Sequence, residues 1–379
     1  MRQAEAGMRD RLRADLAALM LIPGLSGHED RVAAAIRARL AAIGVPSRTD
    51  RLGNLVATFP GAADAPAVMV FAHMDQLGFF VRRIEADGLI RVERMGGVPE
   101  RAMAAQAVTL CVGEGRDVAG IIANKAHHAT TPDEKYQVLR APEITIDTGH
   151  VSKAAVEAAG VRIGTPVVWQ PRVMALAADR IAGTSVDDRA GCAVLIEIAR
   201  GLAGRQGGQQ GAQQDGPTVH LVFAVQEEFN LRGAQVAAQA LRPDIAIQID
   251  LMLASDTPDM ADRGEMVLGG GPGMSLYSFH GRGTLNGVIP HPAMVALVEA
   301  TAAAERIALQ RSAQVGVLTD LSYVQLVGEG VAAIDLGFPM RYSHSALECC
   351  DLADLEGLAR LILAALARIG PGFDLIRGG

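Results

Sequence analysis

Four short apolar runs punctuate the chain: 67–72 (AVMVFA), 219–225 (VHLVFAV), 245–249 (IAIQI) and 331–336 (VAAIDL). Runs of this length, without strict alternation, are the pattern of parallel strands buried on both faces. Between and after them the spacing of apolar residues becomes helical, over 190–202, 292–307 and 352–369. The last of these follows Asp351, which predicts an N-cap. Near the start, Leu12, Leu16 and Leu19 sit at helical spacing. Ser26 and Glu29 form an S-x-x-E pattern that predicts a capping box opening a helix over 30–43, closed by Gly44. Two short strands are expected around 52–59. Strands alternating with helices predict an α/β fold: a mixed, mostly parallel sheet flanked by helices on both faces.

Between His73 and Asp187 the pattern changes. Segments 79–84, 89–93, 107–112, 118–122 and 165–169 are short, β-branched and separated by glycines. No long helical period competes, so a small β-rich domain is expected over 77–176, inserted into a catalytic domain made of 1–76 and 177–379. Segment 204–216 (GRQGGQQGAQQDG) has low complexity and reads as a disordered surface loop without function.

Composition narrows the classes. The chain has 379 residues, half of them hydrophobic and 20% charged, enough to bury a large core and unlike a disordered chain. The formal net charge is −7, which disfavours nucleic acid as a partner. Lysine occurs only at 125, 135 and 153, so the basic residues are mostly arginine. No CxxC joins the four cysteines, and a reducing, cytoplasmic location is the simplest expectation. No apolar stretch is long enough for a membrane span. The apolar segment 16–25 follows Glu5, Asp10 and Asp15 and is interrupted by Pro23 and Gly24, so it reads as part of an N-terminal helix rather than a signal peptide.

The candidate chemistry lies just after the apolar runs. His73, Glu228, Asp250 and His344 follow the four strands, where α/β sheets bind ligands, and Asp187 opens the helix over 190–202. Taken singly, each has an ordinary structural explanation; Asp187 and Asp188 would serve as a helix cap. Together, two imidazoles and three carboxylates would need divalent cations to offset their repulsion. A nitrogen and oxygen donor set without sulfur suits zinc, cobalt or manganese. His73-Met74-Asp75 places a carboxylate where it can orient the imidazole. Adjacent Glu227 and Glu228 can divide the labour, one binding metal while the other faces water.

HMDQLGFFV (73–81), SVDDRAGC (185–192), QEEFNLRGA (226–234), IDLMLASDTPD (249–259) and RYSHSALE (341–348) occur in one order. In these motifs the chain resembles the dinuclear aminopeptidases of the glutamyl-aminopeptidase and tetrahedral-aminopeptidase group, metallopeptidase family forty-two. The resemblance runs from LIPGLSGHE (21–29) to the last helix. It implies a zinc-peptidase-like fold and two divalent metal ions, zinc or cobalt first and manganese third. It implies that Asp187 bridges them, that His73 and Asp250 complete one site, and that Glu228 and His344 complete the other. Glu227 would be the general base and Asp75 the support of His73. The substrates implied are short peptides cleaved at the N-terminus. The inserted domain would mediate dimers within a larger homo-oligomer, often dodecameric. A related deacylase or carboxypeptidase on the same scaffold, a glycosidase and a catalytically silent peptide-binding scaffold are the competing readings. Departures from the family pattern fall at Gln76, Phe229, Asn230, Val317-Leu318 and Ala126-His127-His128. They leave every implied ligand in place and put substrate preference in question.

Overall fold

The computed structural model describes residues 7–207, 216–281 and 286–378. Four parallel strands form the centre of the large sheet, in the order Thr218–Ala224, Ala67–His73, Ile245–Leu253, Ala332–Arg341. These are the four apolar runs, and their residues are almost wholly buried. Antiparallel strands extend the sheet on both sides: Leu55–Phe59 beyond one end, Glu348–Asp351 and Arg180–Gly183 beyond the other. The sheet is therefore mixed, with a parallel core.

Helices cover both faces. Met8–Met20, Asp30–Ala42, Val186–Gly207 and Leu352–Leu366 pack one face, where Leu12, Leu16 and Leu19 are buried at the spacing the sequence shows. Gly233–Leu241 covers the other face through Ala234, Ala237 and Ala238. Asp351 caps the last helix by accepting from the Ala353 amide at 2.9 Å.

The predicted capping box is not made. The helix does begin at Asp30, but the Ser26 hydroxyl donates to the Asp75 carboxylate instead. The Glu29 side chain accepts from the Gly27 and Gln226 amides at 2.8 and 3.0 Å. Both side chains are used in tertiary bonds to the segments carrying the candidate site, which outcompete the local cap. The low-complexity segment also differs from expectation. The helix from Val186 continues to Gly207, and 208–215 lie outside the described residues.

Six strands between Gly78 and Trp169 close into a small barrel. Its core includes Phe79, Val92, Leu110, Ile146 and Trp169, with Phe79 and Trp169 edge to face at 5.3 Å. Thr145–Asp147 and the short helix Lys153–Ala158 belong to this region and were not apparent in the sequence pattern. Strand Val173–Ala175 already pairs with Arg180–Gly183 in the large sheet, so the chain leaves the barrel just after Trp169.

Candidate active site

The parallel register assembles the site. Ala224 pairs with His73, and the chain then turns through Gln226 to place Glu227 and Glu228 above the strand ends. Strand 245–253 pairs with 67–73 so that Gln248 lies opposite Phe71, which sets Asp250 level with His73. Asp250 is not at a strand terminus, as the apolar pattern suggested. The strand runs on to Leu253 because Phe338–Met340 continue to pair with it. His344 follows the end of strand Ala332–Arg341. Ser185, Gln226, Tyr342 and His344 all have positive φ, between 58° and 67°. Such backbone costs energy for side chains with a Cβ and persists where surrounding contacts impose it.

Two triads share one carboxylate. Ligand atoms of His73, Asp187 and Asp250 lie within 4.8 Å of one another, as do those of Asp187, Glu228 and His344. His73 Nε2 is 3.0 Å from Asp187 Oδ1, and His344 Nε2 is 3.5 Å from Asp187 Oδ2. Asp187 is thus central, and the helix-capping role falls to Asp188, whose Oδ1 accepts from the Gly191 amide at 3.0 Å. Asp188 Oδ2 also accepts from the His73 amide.

Asp75 does more than the H-x-D spacing predicted. Its Oδ1 lies 3.4 Å from His73 Nδ1, an electrostatic contact. The same carboxylate accepts from the amides of Glu227 and Glu228, both at 3.0 Å, and from Ser26. One fully buried group therefore fixes the backbone of both glutamates and lies against His73, whose Nδ1 has no hydrogen-bond partner.

Glu348 and Gln248 are further positioning residues that the sequence pattern did not single out. Glu348 accepts from the Asp187 amide at 3.0 Å and the His344 amide at 2.8 Å. Gln248 donates to Asp250 Oδ2 at 2.9 Å. Glu348 lies inside the RYSHSALE motif, and Gln248 is a polar break in an apolar strand; both signals were visible. The barrel also reaches the site. His344 Nδ1 is 3.1 Å from the Gly97 carbonyl oxygen, and a Cβ on Gly97 would stand 2.8 Å from that ring.

Electrostatics define what the site can hold. Burial lowers the proton affinity of His344, but Glu228 and Asp187 outweigh it and push the ring up to about 10. Burial would raise Asp187, yet His344 and His73 hold it well below the usual carboxylate range. Burial, with Asp187 nearby, lifts Asp250 to about 7 and Glu228 to about 8. Glu227 is driven well above its ordinary value by burial, then by Glu228, Asp320 and Asp250. Glu228 Oε1 is buried without a hydrogen-bond partner. Crowded acids, an unpaired oxygen and two imidazoles form a donor set that fits hard or borderline divalent cations.

The departures divide by location. Gln76 is structural: its Oε1 accepts from the Gly24 amide at 3.0 Å and from Arg189 at 3.4 Å. Phe229 is exposed, with Arg232 5.5 Å from its ring centroid. His127 and His128 lie in an exposed turn of the barrel region. Val317 lines a cavity beside Asp250.

The profile of the M42 glutamyl aminopeptidase family matches residues 53–361. The chain belongs to that family. It is an aminopeptidase-type hydrolase acting on peptides. The Escherichia coli K12 protein SgcX, which carries a provisional aminopeptidase name, is 37% identical over 90% of this chain and 89% of its own. The lysyl aminopeptidase of Pyrococcus furiosus is 32% identical over 92% of this chain and 95% of its own. Among solved structures, an aminopeptidase from Desulfurococcus kamchatkensis superposes with a TM-score of 0.88 at 31% identity, covering 98% of this chain and 99% of its own. The TET1 peptidase of Pyrococcus horikoshii, which can assemble into a tetrahedron or a large octahedral shell, gives 0.81 at 26% identity over 95% and 99%.

Proposed function

We propose that the chain is a dinuclear metal-dependent aminopeptidase that removes the N-terminal residue from short peptides. The observation that carries this is two triads sharing Asp187, with Glu227 buried beside them and belonging to neither. His73, Asp187 and Asp250 would hold one cation; Asp187, Glu228 and His344 would hold the other. Zinc or cobalt suits these donors, and manganese is compatible. Such a pair supplies, when bound, a charge that acidifies water and Lewis-acid polarisation of the scissile carbonyl.

The protein's own groups do the rest. Glu227 takes a proton from the attacking water and delivers it to the departing amine. Asp75 fixes the backbone of Glu227, so the base keeps its place while its charge changes.

The barrel, within the inserted segment 77–176, is proposed as the dimerisation unit of a homo-oligomer, with a dodecamer as one closed form. Exposed Ile121, Tyr136, Val151 and Ile163 in that segment support it, as does the assembly of the TET1 peptidase. Four free cysteines support a cytoplasmic location. Among the described residues, no helix is long and apolar enough to cross a membrane.

The test has two arms. Glu227→Gln should keep both cations by elemental analysis and lose roughly 10²–10⁴-fold in kcat. Near-normal turnover would remove Glu227 from its role. Offered a free and an N-acetylated copy of one short peptide, the loaded enzyme should cleave only the free copy. Faster cleavage of the acetylated copy would make it a deacylase.

A further inference from the structure

A cavity of about 910 Å³ lies at the opposite end of the sheet from the candidate site. Its floor includes Asp244, just before strand Ile245–Leu253, and Ala332 and Ala333, which open strand Ala332–Arg341. The same two strands carry Asp250 and lead to His344 at their far ends. None of the proposed metal ligands lines this cavity. Its volume is that of a small-ligand site, roughly 300–1,000 Å³.

One wall presents donors without acceptors. His291 is 8% exposed and caps the helix Pro292–Glu305, its Nδ1 accepting from the Ala293 amide at 3.3 Å. Burial, then Arg377, lower the proton affinity of the ring, so it is neutral. With Nδ1 used as an acceptor, the ring proton sits on Nε2, and that atom is buried with no hydrogen-bond partner. A buried donor left in this state is costly, and a ligand acceptor removes the cost. Arg377 is held beside the ring by donating to the Pro290 carbonyl at 3.0 Å, and its other N–H groups have no partner among the described residues. Arg242, just past the helix Gly233–Leu241, is exposed at the same cavity with its guanidinium unpaired among the described residues.

Two acids limit the charge of what can bind. Asp244 and Glu329 also line the cavity and balance the two arginines. Asp244 Oδ2 already accepts from the Ala67 amide at 2.8 Å. A monoanion gripped by directed N–H groups suits this balance better than a phosphate, whose larger charge would meet both carboxylates. Exposed Ile289, Leu326 and Ile376 supply apolar surface, and the exposed Gln239 amide can pair with a peptide group.

We infer that this cavity binds the C-terminal carboxylate of an amino acid or short peptide with an apolar side chain, and that His291 Nε2 and the Arg377 guanidinium are the carboxylate's donors. The site is separate from the catalytic one and does not depend on the aminopeptidase reading. It takes the class of molecule that such hydrolysis releases. The polar share of the lining favours a peptide over a bare acyl chain.

The test is calorimetric titration of the metal-loaded full chain with N-acetylleucine, N-acetylleucinamide and octanoate, none of which has a free amine. N-acetylleucine should bind saturably, and the other two about tenfold more weakly. His291→Asn keeps an N-cap oxygen but removes the ring N–H. Arg377→Met keeps an unbranched side chain but removes the guanidinium. Each should weaken N-acetylleucine about tenfold or more, with turnover of a leucyl p-nitroanilide unchanged. Absence of saturable binding, equal binding of the amide, or tighter binding of octanoate overturns the inference. So does an affinity untouched by both variants, which would put the carboxylate on the cations instead. If His291→Asn fails to fold, Arg377→Met, at an exposed side chain, decides. Because the readout is binding, failure of the aminopeptidase reading would leave this result standing.

Discussion

Asp75→Asn tests the site's internal support. The carboxylate has two edges, both facing donors. Oδ1 meets the Glu227 amide and His73 Nδ1; Oδ2 meets the Glu228 amide and the Ser26 hydroxyl. An asparagine has one acceptor edge and one donor edge. Whichever way it turns, its NH₂ faces a buried N–H, and one glutamate amide loses its partner. A buried donor left unsatisfied costs about 1–3 kcal/mol, and bonds to a charged acceptor contribute about 1.5–3 kcal/mol each before the charge is removed. We expect a loss of about 2–5 kcal/mol in the chelator-treated protein. Ser26→Ala, which removes one donor and leaves the carboxylate intact, should cost only about 1 kcal/mol. His73 also loses the carboxylate 3.4 Å from its Nδ1, and partners of a metal-binding histidine are worth about 10–100-fold in metal affinity. Urea denaturation of the metal-free proteins gives the first quantity, and titration against a competing chelator gives the second. If Asp75→Asn is no less stable than Ser26→Ala, or binds metal as tightly as wild type, the reasoning fails.

Other consequences are as direct. Asp187→Ala should reduce metal occupancy at both sites while His344→Ala empties one; two equivalents per chain in Asp187→Ala by elemental analysis would move the bridge elsewhere. Arg31 pairs with Asp117 through contacts of 2.5 and 3.0 Å, tying the helix Asp30–Ala42 to the barrel region. Burial would raise Asp117, but Arg31 and the Gly113 amide hold it below its ordinary value. Its folded pKa is therefore depressed, so the pair's contribution, about 1 kcal/mol, is complete above about pH 4 and is lost as pH falls through the folded value. Denaturation of wild type and Asp117→Asn should differ at pH 7 and converge below pH 4; a gap that widens on acidification would contradict the sign. Light scattering at micromolar concentration should give a mass well above 39.7 kDa, and a monomer would remove the role proposed for the barrel.

Much of the scaffold was legible because burial on both faces leaves a one-dimensional trace. The four central strands were marked by apolar runs, and Leu12, Leu16 and Leu19 revealed a buried helical stripe. The side strands Gln310–Val315 and Glu348–Asp351 carry no such run, since polar residues and cysteines fill them, and their pairing is settled by neighbours distant in sequence. Motif order placed His73, Asp75, Asp187, Glu227, Glu228, Asp250 and His344 as candidates. The resemblance took Asp187 rather than Asp188 as the shared acid; in the fold Asp187 is the one that faces both histidines, because the backbone turns it inward and leaves Asp188 to cap the helix.

The same limit explains the false cap. Ser26 and Glu29 have the right types at the right spacing, and a local rule has no knowledge of Asp75 or Gln226, which lie far along the chain. Sequence by itself determined the inventory: which residues can ligate, which can take a proton, and which runs must be buried. Tertiary structure decided the pairing of that inventory. Parallel register set Asp250 level with His73, the glycine at 97 let the barrel reach His344, and packing left His291 Nε2 without an acceptor at the other end of the sheet. The physical reason is that hydrogen bonds and charges act over a few ångströms, whereas the groups they join here are separated by tens to hundreds of residues.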